Sequence, residues 1–204
     1  MKHVTSRELY AYWNSVRRGE PAPLRSAIEP SDIRRILADT FILEVIDRDR
    51  YLVRLAGTRM CSLYCREIKG TDFLDLWSNE DRNAVATLAT AVASDAAAAV
   101  VTLELSTARD QRLGCELLLL PLRHGRSYDR ILGSLSPADR PYWLGSEPII
   151  RQQVQSLRLI WPDEQPSFMR RRTDRPDDSA PIPFPIDSRR RRRHLFVLDG
   201  GKES

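Results

Sequence analysis

The 204-residue chain is poor in the residues on which covalent and metal chemistry usually depend: three cysteines, three histidines and no complete catalytic motif. Cys61, Cys65 and Cys115 cannot all pair within one chain, so a disulfide framework is not expected to hold the fold. The start MKHVTSREL lacks the apolar stretch of a secretory signal, which with the odd cysteine count favours a reduced, cytoplasmic setting. No apolar run approaches the roughly 20 residues that a membrane-spanning helix requires. Net charge is also missing from most of the chain: residues 1–165 hold 22 basic and 22 acidic residues, whereas residues 166–204 hold 10 and 6. A neutral body offers no broad electrostatic footprint for nucleic acid.

Several specific chemistries lack their parts. Gly57-Thr58 has neither the further glycines nor the context of a phosphate loop. Ser62, Ser134 and Ser136 have no matching histidine and acid. His3, His124 and His194 fall at the start, in a turn and near the end, away from the elements that would line a haem pocket. Cys61 and Cys65 would share a helix face, but zinc in a structural site wants four ligands, and buried, unligated cysteine is the commoner outcome. An enzyme is therefore not expected, nor a metal site, nor a tightly bound cofactor.

What is present is a clear alternation of helical and extended patterns. Thr5 and Glu8 have capping-box spacing, and Leu9, Tyr12, Trp13 and Val16 fall on one face of a helix ended by Gly19 and Pro21. That aromatic stripe packs either on the body of its own chain or on a second subunit. Pro30-Ser31-Asp32 opens a second short helix with Ile33, Ile36 and Leu37 inward. Phe41 to Ile46 and Tyr51 to Ala56 read as a hairpin across a polar turn, with Tyr51, Val53 and Leu55 on one side.

A short helix is expected from Thr58 to Cys65 and a longer one from Glu80 to Ala93, the latter with Ser78 and Asp81 at capping-box spacing. Strands follow at Val100 to Ser106, Arg112 to Leu120 and Asp129 to Ser136. Ile149 to Ile160 fits a last strand, or a helix through the spacing of Val154, Leu157 and Ile160. Beyond Pro166 proline, serine and charge dominate. The expected organisation is an N-terminal amphipathic helix over 1–20, a folded domain over 21–162 and a Pro/Arg-rich, flexible tail over 163–204.

The stretch Arg54-Leu55-Ala56-Gly57-Thr58, with Tyr12-Trp13, Pro23-Leu24-Arg25, Pro30 to Leu37 and Arg66 to Gly70, resembles a family of small PAS-domain proteins common in alphaproteobacteria. The resemblance implies an α+β, PAS-like fold: a five-stranded antiparallel sheet with flanking helices and an N-terminal helix through which members often dimerise. It implies sensing or protein interaction rather than catalysis. Cys65 departs from the pattern, which more often has glycine there.

The expected function is thus a cytoplasmic sensory or protein-interaction module acting in signal transduction, as a homodimer and with a regulatory protein partner. Candidate pocket residues for a small-molecule ligand are Leu55, Met60, Leu63, Tyr64, Phe73, Trp77, Leu88 and Leu117. Candidate dimer residues are Leu9, Tyr12, Trp13 and Val16. The block Arg189, Arg190, Arg191, Arg192 and Arg193 is a candidate anion contact, and its alternative readings are nucleic acid, an anionic membrane surface or plain solvation.

Overall fold

The computed structural model describes residues 1–125 and 127–161. Six strands form one antiparallel sheet in the order β2-β1-β5-β4-β3-β6. They are β1 (Thr40–Asp47), β2 (Arg50–Ala56), β3 (Ala98–Thr107), β4 (Arg112–His124), β5 (Ser127–Pro137) and β6 (Ile149–Ile160). The first five give the expected PAS-like sheet, and β6 adds a sixth strand beside β3. Its threefold apolar spacing does not make it a helix, because its backbone pairs with β3 over nearly its whole length.

Strand alternation sorts the core into two layers. Odd positions of the central strands, among them Val101, Leu103, Leu117, Leu119, Ile131 and Leu135, face the helices α2 (Thr58–Leu63) and α3 (Asn79–Asp95). Even positions, including Val100, Leu118, Leu120 and Leu132, face α1 (Val4–Val16) and the segment from Ala22 to Ile36. Both faces of the sheet are therefore apolar, which is why β4 reads as a continuous hydrophobic run.

The N-terminal helix is fixed at both ends to β4. Its cap is His3 rather than Thr5: the His3 imidazole accepts from the Thr5 backbone N–H, and Thr5 is buried in the first turn. The buried Glu116 carboxylate accepts from the backbone N–H groups of Lys2 and His3 at 2.7 and 3.1 Å, placing a negative charge at the positive end of the helix. At the other end the Trp13 indole donates to the Pro121 carbonyl at 2.8 Å.

Other local expectations change. Residues 30–36 form successive turns held by i→i+3 bonds (Ile33 N–H to Pro30, Ile36 N–H to Ile33), leading into a 3₁₀ turn at Leu37–Asp39. Ile33 and Ile36 are buried as expected, whereas Leu37 is exposed. At α3 the capping box does not form: Ser78 is the N-cap, but only its backbone carbonyl accepts, from Asp81 and Arg82 N–H. The helix over Thr58 to Cys65 stops at Leu63, and Cys65 turns away with φ +49°.

Two glycines are required by close approach. A methyl group on Gly57 would overlap the Ala38 carbonyl, and one on Gly133 would overlap the Phe41 ring. Gly57 thereby lets the turn after β2 lie directly on the segment before β1, while its N–H donates to Thr40 at 2.8 Å.

Candidate functional site

The inner layer holds seven of the eight candidate pocket residues. Met60, Leu63, Tyr64, Phe73, Trp77, Leu88 and Leu117 are all buried in the cluster between the sheet and helices α2 and α3. Their side chains interlock: the Phe73 ring stacks on Phe41 with centroids 5.5 Å apart and meets Trp77 edge-on at 5.8 Å. Burial pushes the Tyr64 phenol and the Cys115 thiol far above their usual ranges, so both stay neutral. Further polar groups lie in this layer. Gln152, buried on β6, donates to the Leu76 carbonyl at 2.6 Å, and the buried Trp77 indole N–H has no hydrogen-bond partner among the described residues.

Leu55 does not join them. In the β1–β2 ladder Ile42 pairs with Leu55 and Leu43 with Val53, leaving Arg54 as an extra residue. This β-bulge breaks the two-residue period, so Leu55 leaves the side occupied by Tyr51 and Val53. It is 48% exposed and lines a cleft of about 470 Å³ on the opposite side of the sheet. Arg54 itself is bound to Glu44, which also takes Arg130 at 2.8 Å.

Of the candidate dimer residues, Leu9 and Trp13 are almost wholly buried against their own sheet, beside Tyr10. They are consumed by intrachain packing. Tyr12 and Val16 keep partial exposure; the Tyr12 hydroxyl accepts from the Glu29 backbone N–H at 2.8 Å. Val16 lines a surface cleft of about 510 Å³ together with the exposed Leu24.

The cysteines do not converge. Cys115 is buried on β4, Cys61 is half-buried on α2 and Cys65 is exposed, all three with free thiols. Burial, with the neighbouring Glu67 carboxylate, raises the Cys61 thiol above its ordinary range, the reverse of an activated thiolate. Among the described residues no group of three or more His, Cys, Asp or Glu side chains gathers as metal ligands, and no helix is long and apolar enough to cross a membrane. Arg189 to Arg193 lie outside the described residues.

A family model described as PAS domain matches residues 1–136, about two thirds of the chain. The chain belongs to the PAS domain family. The matched region of this PAS domain begins before α1 and ends within β5, so the sixth strand lies beyond it. No curated protein matches the chain. PAS domains serve as sensory or interaction modules in signal transduction, and they are regulatory rather than catalytic as a rule.

Two acidic residues that shape this PAS domain, Asp39 and Glu116, were not singled out from the sequence. Asp39, 5% exposed, binds the Arg59 guanidinium through both carboxylate oxygens, with Arg59 Nε at 2.6 Å. This pair ties the turn before β1 to α2. Glu116 had a signal available: it is a lone acid inside the apolar run Cys115 to Leu120. The outer cleft carried no such signal, because its wall comes from residues 25–38 and its floor from Ile42, Leu55 and Leu132.

Proposed function

We propose that this chain is a cytoplasmic PAS-type regulatory module that works by protein contact, as a homodimer and toward a regulatory partner, without catalysing a reaction. The observation that carries this reading is the interlocked inner layer, where Phe41, Phe73 and Trp77 fill the space between sheet and helices with side chains rather than with converging reactive groups. A core packed this way transmits displacement well, because close-packed interiors respond to strain as units. The thiols of Cys61 and Cys65, unpaired and not deeply buried, suit a reducing compartment.

The dimer contact in this proposal uses the part of α1 that keeps surface, Tyr12 and Val16 with Leu24 beside them, and not Leu9 or Trp13. Signalling requires that ligand or partner favour one arrangement of α1 on the sheet over another. Sedimentation of the full chain at micromolar concentration tests the association. The proposal expects a dimer that Val16→Glu with Leu24→Glu converts to monomer with unchanged circular dichroism. A monomeric wild-type chain, or a dimer indifferent to both substitutions, would refute it.

A further inference from the structure

The outer cleft at the β1–β2 edge combines an apolar floor with two arginines that form no ion pair among the described residues, although Arg34 also borders a neighbouring cleft lined by Glu8 and Asp32. Ile42, Leu55 and Leu132 form its floor, and Ile28 and Ile33 its facing wall. Arg25 and Arg34 line the same cleft, none of its lining residues is acidic, and neither guanidinium has an ion-pair partner among the described residues. The neighbouring arginines are already engaged, Arg59 with Asp39 and Arg54 with Glu44. Charge complementarity therefore asks for an acidic group at the arginines and an apolar body over the floor.

We propose that this cleft binds a small amphiphilic carboxylate, its head on Arg25 and Arg34 and its aliphatic or aryl body against Leu55, Ile33 and Leu132. The volume, about 470 Å³, lies within the roughly 300–1,000 Å³ range of small-molecule sites. Guanidinium groups present planar paired donors that match a carboxylate. A peptide strand suits the site poorly, since the floor is made by side chains on the face of paired strands and not by a free edge with backbone groups to pair. The bulge at Arg54 builds the site: without it Leu55 would turn to the inner layer and leave the floor open. This inference goes beyond the interaction reading and does not rest on it, because the site lies on the other side of the sheet from the inner layer.

The test is calorimetric titration of the full chain with decanoate and, separately, decan-1-ol, which has the same chain without the charge. Saturable binding of one decanoate per chain is expected, with decan-1-ol weaker by about tenfold or more, as the loss of a charged contact implies. The double variant Arg25→Gln/Arg34→Gln, both positions away from the core, should weaken decanoate by about tenfold and leave decan-1-ol unchanged. Leu55→Asp, at a half-exposed position, should remove binding of both while preserving the circular dichroism spectrum. Absence of saturable decanoate binding, equal affinity for the two probes, or an unaffected double variant would each overturn the assignment.

Discussion

Removing the Trp13 side chain separates the two fates open to the aromatic stripe. Trp13 is 2% exposed, its ring lies 5.6 Å from that of Tyr10, and its indole N–H supplies the Pro121 carbonyl. Trp13→Ala deletes this burial and leaves a cavity between α1 and β4, a loss of about 3–5 kcal/mol for a buried Trp. The Arg17 guanidinium over the ring, 5.4 Å from its centroid and only partly buried, adds about 0.5–1 kcal/mol. Trp13→Phe keeps most of the apolar volume and loses the donor, which should cost about 1–3 kcal/mol because Pro121 keeps a buried, unsatisfied carbonyl. Tyr12→Ala, at a half-buried position, should cost about 1 kcal/mol. Urea unfolding of the three variants at equal protein concentration gives the comparison. The order Trp13→Ala, Trp13→Phe, Tyr12→Ala from most to least destabilising is expected, and it should hold at high dilution. A Trp13→Ala chain as stable as wild type but altered in oligomeric state would refute the intrachain assignment.

Further substitutions probe particular contacts. Gly57→Ala forces the Ala38 carbonyl away and should cost about 1–3 kcal/mol by denaturant titration, although Gly57 has an ordinary φ and alanine elsewhere would be harmless. Cys65 sits at φ +49°, so Cys65→Gly is expected to leave stability unchanged or raise it by up to about 1 kcal/mol, while β-branched Cys65→Val lowers it; equal melting temperatures for the glycine and valine variants would contradict this. Arg59→Ala leaves the buried Asp39 carboxylate without its partner and should cost about 2 kcal/mol, below the cost of breaking a fully buried pair because Arg59 is itself partly exposed. Asp39→Asn with Arg59→Ala should recover part of that loss in a double-mutant cycle.

Much of the sheet was legible because its strands keep a strict period. Val101, Leu103 and Leu105 against Thr102 and Glu104 announce β3, and the same rule places Leu117 in the inner layer. The rule fails at Leu55, since a bulge of one residue flips a side chain without leaving a mark in the alternation. Residues 30–36 carry helical spacing but bond i→i+3, a difference that Ile33 and Ile36 satisfy equally well. The cap of α1 went to His3 because Glu116, more than a hundred residues away, holds the backbone there. Cys65 was visible as a departure from the family pattern, and its positive φ gives the physical reason that glycine suits the position. The outer cleft was invisible for a similar cause: Arg25, Leu55 and Leu132 are neighbours only once β1 has paired with both β2 and β5.

Whether this PAS module acts by association is decided by native mass spectrometry of the full chain isolated gently from its own host. A species of two chains, with or without a further protein bound, is expected to survive dilution into the low micromolar range. A spectrum containing only the single unliganded chain would contradict it.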